Sequence, residues 1–492
     1  MTKFVAAIVA IVGTLLGQTP QLSDEERARL QFDNGRAHMA AANYQEALKD
    51  FRAVVDTHPN SSVADNALME IAKYYLEFTG DLVEARKNVE QLRTKYPNGD
   101  AAASAYILEG RIALTAGRTT DSLRRAAADF NRARTVFPDS SDVPEAIFYL
   151  AESQRLGGNG EAAIGSYREI QRTYSQSIWS ARSRFGLARC LLTTGHADAA
   201  MVETQRVIAD FPSSPEAILA AESNTILFRL YLRSHPYDFS GRFVAGRDGK
   251  IKDVHALAIM PSGELLVANA SGVFAFDAES KQTRALMRLH PQSLFGDSLG
   301  RVLVADSQQL SRDDGPPFAV PFSRPGKPPE TLHDISAAIL TATQDLLVAD
   351  RNAKGIFAYT PSAKAPRSFA MGQFVRLTTN RDGDVAALSS ERSVRVFDRD
   401  GKLLQTIPTR GGGYEFEKPT DLAFDALGHL YVLDGGRGTV YVFLCATGKM
   451  ITKFDSPEKA AGAFHKATAL ALDRAGRLYI YDSRAERVNV YQ

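Results

Sequence analysis

Carboxylate and amide side chains recur at one place in the C-terminal half of the chain. Asn269, Asp306, Asp350, Asp434 and Asp482 each close an apolar run such as Leu346-Leu347-Val348-Ala349-Asp350. Paired carboxylates serve as general acid and base, and clustered ones hold a hard cation. A catalytic pair breaks symmetry, however, and repetition in five segments predicts a turn role, with the side chain bonded to nearby backbone. Asn380, Asp382, Asp384 and Glu391 stand at positions 1, 3, 5 and 12 of a calcium loop. Position 6, which needs glycine, is Val385, and the segment reads as a strand hairpin where helices should flank it. No cofactor is therefore expected, with calcium kept as a minor alternative. His255, His333, His429 and His465 lack the i, i+4 spacing of a helical metal pair. Gly-x-Ser-x-Gly, a phosphate loop and a dinucleotide fingerprint are missing. Cys190 and Cys445 stand 255 residues apart with no Cys-x-x-Cys, which predicts two buried small hydrophobes and no redox or zinc chemistry. No catalytic residue and no metal ligand set is assigned.

The elements that would position any site come from 492 residues, 44% apolar and 23% charged, with a net charge of +1. Such a chain supports two or three folded units and carries no overall field toward nucleic acid. Lys3 precedes an uncharged run, Phe4 to Leu16, and then Gly17-Gln18-Thr19-Pro20. This pattern predicts a signal peptide over 1–19, because a membrane-spanning helix needs about 20 apolar residues. Leu15-Leu16-Gly17 resembles the start of a lipoprotein box, but Gln18 stands where the lipidated cysteine belongs. Export to the periplasm or outside the cell is expected, with no integral membrane segment after leader cleavage.

Residues 20–235 read as a helical repeat array. Pro59, Pro97, Pro138, Ser175 and Pro212 recur at intervals of 38, 41, 37 and 37. Twelve residues before each stands Ala47, Ala85, Ala126, Ala163 or Ala200, and the partner small positions are Gly35, Ala72, Gly110, Ala151 and Ala188. Five helical hairpins follow, closely packed where small residues meet and closed by a capping helix over 216–233. Tyr44, Ala47, Phe51 and Pro59, with Phe130, Ala133 and Pro138, resemble the tetratricopeptide repeat, in the style of bacterial envelope proteins. That resemblance implies a concave groove faced by the residue after each small position: Arg36, Lys73, Arg111, Glu152 and Arg189. Four residues earlier stand Phe32, Met69, Ile107, Phe148 and Phe185. Arg36, Lys73, Arg111, Arg189, Phe148 and Phe185 are thus candidate partner-binding residues for an envelope protein or peptide. The plainer alternative makes the apolar row inter-repeat core and the basic row a solvated face.

Residues 236–492 switch to short alternating strands separated by Gly and Asp. Gly263, Gly300, Gln344, Gly383, Gly428 and Gly476 mark six segments, which predicts a six-bladed β-propeller closed by the apolar segment from Phe239 to Ala245. Gly411-Gly412-Gly413-Tyr414-Glu415-Phe416-Glu417-Lys418-Pro419 and the blade after it resemble the NHL repeat. Related six-bladed propellers include calcium lactonases and metal-dependent lyases, which implies that the channel mouth is the place to look for chemistry. Seven residues before each turn marker stand Ala256, Ser293, Ala337, Arg376, Asp421 and Ala469. Only Arg376 and Asp421 are charged, fewer than the three ligands a metal needs, so they read as a pair that binds or, preferably, braces the channel mouth. A proline-rich excursion over 311–330 is either a recognition loop or a tolerated insertion. The fold class expected is an all-α solenoid followed by an all-β propeller. The function expected is an exported, non-catalytic interaction scaffold, with a metal-dependent propeller hydrolase or lyase, or a glycan- or small-ligand-binding propeller, as rivals.

Overall fold

The computed structural model describes residues 22–246, 249–287, 290–297, 300–313, 315–322, 330–341, 345–360, 366–457 and 462–492. The leader, the turn marker Gln344 and three prolines of the 311–330 excursion, Pro325, Pro328 and Pro329, lie outside the described residues. The chain divides into two compact units, 1–179 and 180–492.

The first unit is a stack of helical hairpins: α1 (Asp24–Ala40), α2 (Tyr44–Thr57), α3 (Ala64–Tyr74), α4 (Leu82–Lys95), α5 (Ala102–Ala116), α6 (Thr120–Val136), α7 (Val143–Leu156) and α8 (Gly160–Thr173). A Ser23/Glu26 capping box starts α1, satisfying amides that the helix itself leaves unpaired. Helix α2 buries Ala47, Leu48, Phe51, Val54 and Val55 along one stripe. The small positions explain the repeat: a Cβ built on Gly35 would lie 2.6 Å from the Phe51 ring, and one on Gly110 the same distance from Phe130. Successive hairpins are tied by Tyr96, whose hydroxyl donates to the Pro59 carbonyl at 2.6 Å, and by Asp65, which accepts from the Ala101 amide at 3.2 Å.

The second unit holds α9 (Trp179–Thr193, from its second residue), α10 (Ala197–Asp210), α11 (Pro215–Leu227) and the propeller. A π-helical turn, Phe228–Leu232, follows α11. Ile226, Leu230 and Tyr237 pack into the apolar cluster of the fifth and sixth blades. Arg229 is buried and donates to the carbonyls of Ala475 and Gly476 at 3.0 and 2.6 Å.

Among the described residues the propeller has six four-stranded antiparallel sheets. Their innermost strands are Val254–Ile259, Ser293–Gly296, Ile335–Leu340, Phe374–Thr379, Pro419–Phe424 and Ala467–Leu472, for blades 1 to 6 in ring order. Blade 6 is completed by strand Phe239–Val244, which pairs with Arg487–Tyr491 (Phe239 opposite Tyr491, Val244 opposite Val488). Closure in this way leaves no unpaired edge between the first and last blades. The turn glycines Gly263, Gly300, Gly383, Gly428 and Gly476 all have φ between 71° and 87°, a conformation that side-chain-bearing residues rarely adopt.

Candidate functional site

The inner strands carry a recurring irregularity. In blades 1, 3, 4, 5 and 6 the register shifts at His255, Ser336, Val375, Thr420 and Thr468, each eight residues before its turn marker. A bulge of this kind re-aims a side chain, and in blades 1, 3, 5 and 6 it aims a polar group at the next blade. His255 Nδ1 lies 2.7 Å from the Pro291 carbonyl oxygen, Ser336 donates to Phe374 O at 2.6 Å, Thr420 to Ala467 O at 3.1 Å and Thr468 to Val254 O at 3.4 Å. Reading the sequence at positions six and seven before each turn missed this row. The signal was one residue further upstream.

Blade 4 has Val375 at the bulge, which donates nothing, and the next residue is Arg376. Its Nη1 donates to the Val375 carbonyl at 3.0 Å and its Nη2 to the His255 carbonyl of blade 1 at 3.2 Å. Blades 4 and 1 stand opposite in a six-membered ring, so the guanidinium crosses the channel. Ala256, Ala337 and Ala469 at the equivalent positions are small enough to leave room for it. Asp421 of blade 5 lies 3.6 Å from Arg376 Nε and accepts from the Leu422 and Leu470 amides at 3.0 and 2.9 Å. Burial raises the Asp421 pKa above the usual carboxylate range, against the opposing pull of Arg376 and the Leu470 amide. The pair expected at the channel mouth is thus brought together, and each of its members bonds to backbone of another blade.

The repeated acids bond to backbone. Asp434 accepts from the Glu417 and Lys418 amides at 2.7 and 2.9 Å, Asp482 from His465 and Lys466 at 3.3 and 3.1 Å, and Asp350 from His333 and Asp334 at 3.1 and 2.9 Å. Asn269 and Asp306 accept from amides two residues on. Within the calcium-like loop, Asn380 and Asp384 bond each other at 3.0 Å, and Asp382 receives Arg189. Among the described residues no group of three His, Cys, Asp or Glu side chains is placed to hold a metal. His429 is fully buried, with Nδ1 2.7 Å from Asp425 and Nε2 3.0 Å from the Tyr231 hydroxyl. Cys190 and Cys445 are both buried and not joined in a disulfide.

The basic row of the solenoid is mostly paired within the chain. Arg36 is exposed on α1. Lys73 lies 3.3 Å from Glu70. Arg111 contacts Glu77 at 2.5 Å and Glu145 at 3.6 Å, over the Tyr149 ring at 5.1 Å. Burial works against the Arg111 charge, but Tyr149, Glu77 and Glu145 outweigh it and hold its pKa above the ordinary value. Arg189 reaches both carboxylate oxygens of Asp382 in blade 4, at 2.7 and 2.8 Å. In the apolar row, Phe148 packs on Val143, Ile147 and Ile170, and Phe185 is buried with Val207 and Ala220. Both rings are committed to packing between helices.

Residues 24–155 match the YfiO family, described as outer membrane lipoproteins, and residues 145–177 match the tetratricopeptide repeat family. No curated protein matches the chain at a significant level. Among solved structures, a gluconolactonase from Xanthomonas campestris is 15% identical, with 49% of this chain and 86% of that one covered and a TM-score of 0.40. A streptogramin B lyase is 8% identical over 52% and 97%, with a TM-score of 0.39. Virginiamycin B lyase from Staphylococcus aureus is 11% identical over 50% and 82%, with a TM-score of 0.35. At these identities and scores the likenesses bear on neither substrate nor residue roles. The chain is a tetratricopeptide-repeat array, similar over its first seven helices to a family of outer membrane lipoproteins, fused to a six-bladed β-propeller.

Proposed function

We propose that this protein is a non-catalytic scaffold of the bacterial cell envelope that holds protein partners through its solenoid groove and its propeller face. The reading rests above all on Arg376. A side chain that crosses the channel and donates to the opposite blade occupies the space a substrate would need at that level. Its charge is balanced by Asp421, so the pair braces the ring and offers no unbalanced charge to a substrate. The match of residues 24–155 to outer membrane lipoproteins supports an envelope setting, and repeat solenoids present extended surfaces suited to polypeptide partners.

The test places a photo-reactive residue at position 33 of the full chain, exposed on α1 one turn before Arg36, in its native envelope and identifies the cross-linked product by mass spectrometry. The purified chain is assayed in parallel for stoichiometric divalent metal and for lactone hydrolysis. One recurrent envelope protein, lost on competition with unmodified chain, supports the scaffold. Stoichiometric metal accompanied by turnover overturns it.

A further inference from the structure

The second hairpin departs from its own repeat. Six residues after the small position, the five hairpins carry Ala41, Phe78, Ala116, Gly157 and Thr194. Four are small or short, and one is a phenylalanine. From Ala72 to Ala85 this hairpin spans 13 residues where the first, Gly35 to Ala47, spans 12. The additional residue is taken up as a π-helical turn, Tyr75–Thr79. Such turns are rare and gather at functional sites. In the neighbouring hairpin the left-handed turn position, which is Gly158 and Gly195 in the fourth and fifth hairpins, is held by Ala42 at φ 59°, an unfavoured conformation for a residue with a Cβ. Architecture that obeys the repeat requires neither the phenylalanine nor the π-helical turn.

Together they open a cleft of about 450 Å³, floored by Tyr44, Tyr74 and Phe78 and rimmed by Asn43, Gln45 and Glu46. The Phe78 ring centroid lies 4.4 Å from that of Tyr44 and 6.1 Å from that of Tyr74, and Phe78 stays 47% exposed. Gln45 Nε2 donates to the Tyr74 hydroxyl at 3.0 Å, which leaves the Gln45 carbonyl oxygen as an acceptor at the rim. Glu46 adds a carboxylate, paired with Lys49 at 2.6 Å across an exposed bridge that contributes little and is readily exchanged. An aromatic floor beneath acceptors and a negative charge complements a flat, donor-rich cation. The same unit builds that arrangement internally elsewhere: Arg93 lies 4.9 Å over Tyr106, and Arg111 lies over Tyr149 between two glutamates. Among the described residues no cation of the chain lies over Phe78 or Tyr44.

We infer that this cleft receives an arginine side chain of a partner polypeptide, with the guanidinium laid on Phe78 and Tyr44 and its charge met by Glu46. The inference does not depend on the basic row of the groove.

Saturation-transfer NMR on the full chain tests it, with N-acetyl-arginine amide as the probe and the citrulline and phenylalanine analogues alongside. Transfer to the arginine methylenes is expected, with affinity lowered about tenfold by Phe78→Ser and about threefold by Glu46→Gln. Glu46 is exposed, so Glu46→Gln should leave the melting temperature unchanged, whereas Phe78→Ser gives up half-buried ring contacts with Tyr44 and Tyr74 and is measured well below its own melting temperature. Absence of transfer to the arginine probe, undiminished transfer in both variants, or equal transfer to either analogue overturns the inference.

Discussion

Arg376 Nη2 lies 3.2 Å from the carbonyl oxygen of His255, three blades away around the ring. One residue thereby couples the halves of the propeller that strand pairing alone leaves apart. Arg376→Met removes this bond and leaves Asp421 buried beside no cation. Losing one partner of such a pair costs about 3 kcal/mol, and neutralising the other in Arg376→Met/Asp421→Asn should recover more than half. Chemical denaturation followed by near-ultraviolet circular dichroism, to which the propeller tyrosines contribute, measures both. An unchanged midpoint in Arg376→Met would show that the bridge contributes nothing to the ring.

The bulge donors predict a smaller, repeated effect. Thr420→Val keeps the shape and removes the bond to Ala467 O, at an expected cost of about 1 kcal/mol. Blade 4 already carries valine at this place, so the variant should fold, and the same denaturation experiment reads the difference.

Arg36 and Arg189 stand at equivalent repeat positions and should behave differently. Arg36→Ser is expected to leave the melting temperature unchanged and to lower partner cross-linking at least fivefold, about 1 kcal/mol. Arg189→Ser breaks the contact with Asp382 and should destabilise the second unit by about 1–2 kcal/mol. A double-mutant cycle with Asp382→Asn isolates the coupling. Equal thermal shifts for Arg36→Ser and Arg189→Ser would contradict this assignment.

Burial, and then the neighbouring Glu109 carboxylate, push the Asp129 pKa up to about 6. The folded chain therefore keeps a proton there that the unfolded chain has released. This contribution favours folding in acid and is lost as pH rises from the ordinary carboxylate range through about 6. Asp129→Asn should raise the helical melting temperature at pH 7.5 by roughly 2 °C and leave it unchanged at pH 4. Thermal melts followed at 222 nm check the sign. A gain at pH 4 that disappears at pH 7.5 would reverse it.

The repeat pattern was legible in the sequence wherever sterics force the residue type. Gly35 and Gly110 face phenylalanine rings with no room for a methyl, and the turn glycines need positive φ, so fixed spacing exposed both domains. The apolar row also followed from sequence as one of two readings, and Phe185 lies in core. Ion pairing was not legible. Glu77 and Glu145 come to Arg111 from neighbouring hairpins, and Asp382 comes to Arg189 from 193 residues away. Spacing within one helix carries no trace of either. The bulged donors stayed hidden for a different reason: alternation gives the side of a strand, and a bulge shifts that alternation by one residue.

The strand that completes blade 6 bears on how the chain reaches its native state. Phe239 and Tyr491 are neighbours in the sheet, and the adjoining Asp238 and Gln492 exchange both backbone hydrogen bonds at 3.0 Å. Each helical hairpin of the first unit is built from contacts a few dozen residues apart and forms early. The ring, by contrast, waits for two segments about 250 residues apart in sequence to meet, a loop closure that local structure does nothing to hasten. As the chain folds, the solenoid is therefore assembled while the propeller is still an open row of blades. The interval before the clasp shuts is when the propeller is most exposed to mispairing and to proteolysis.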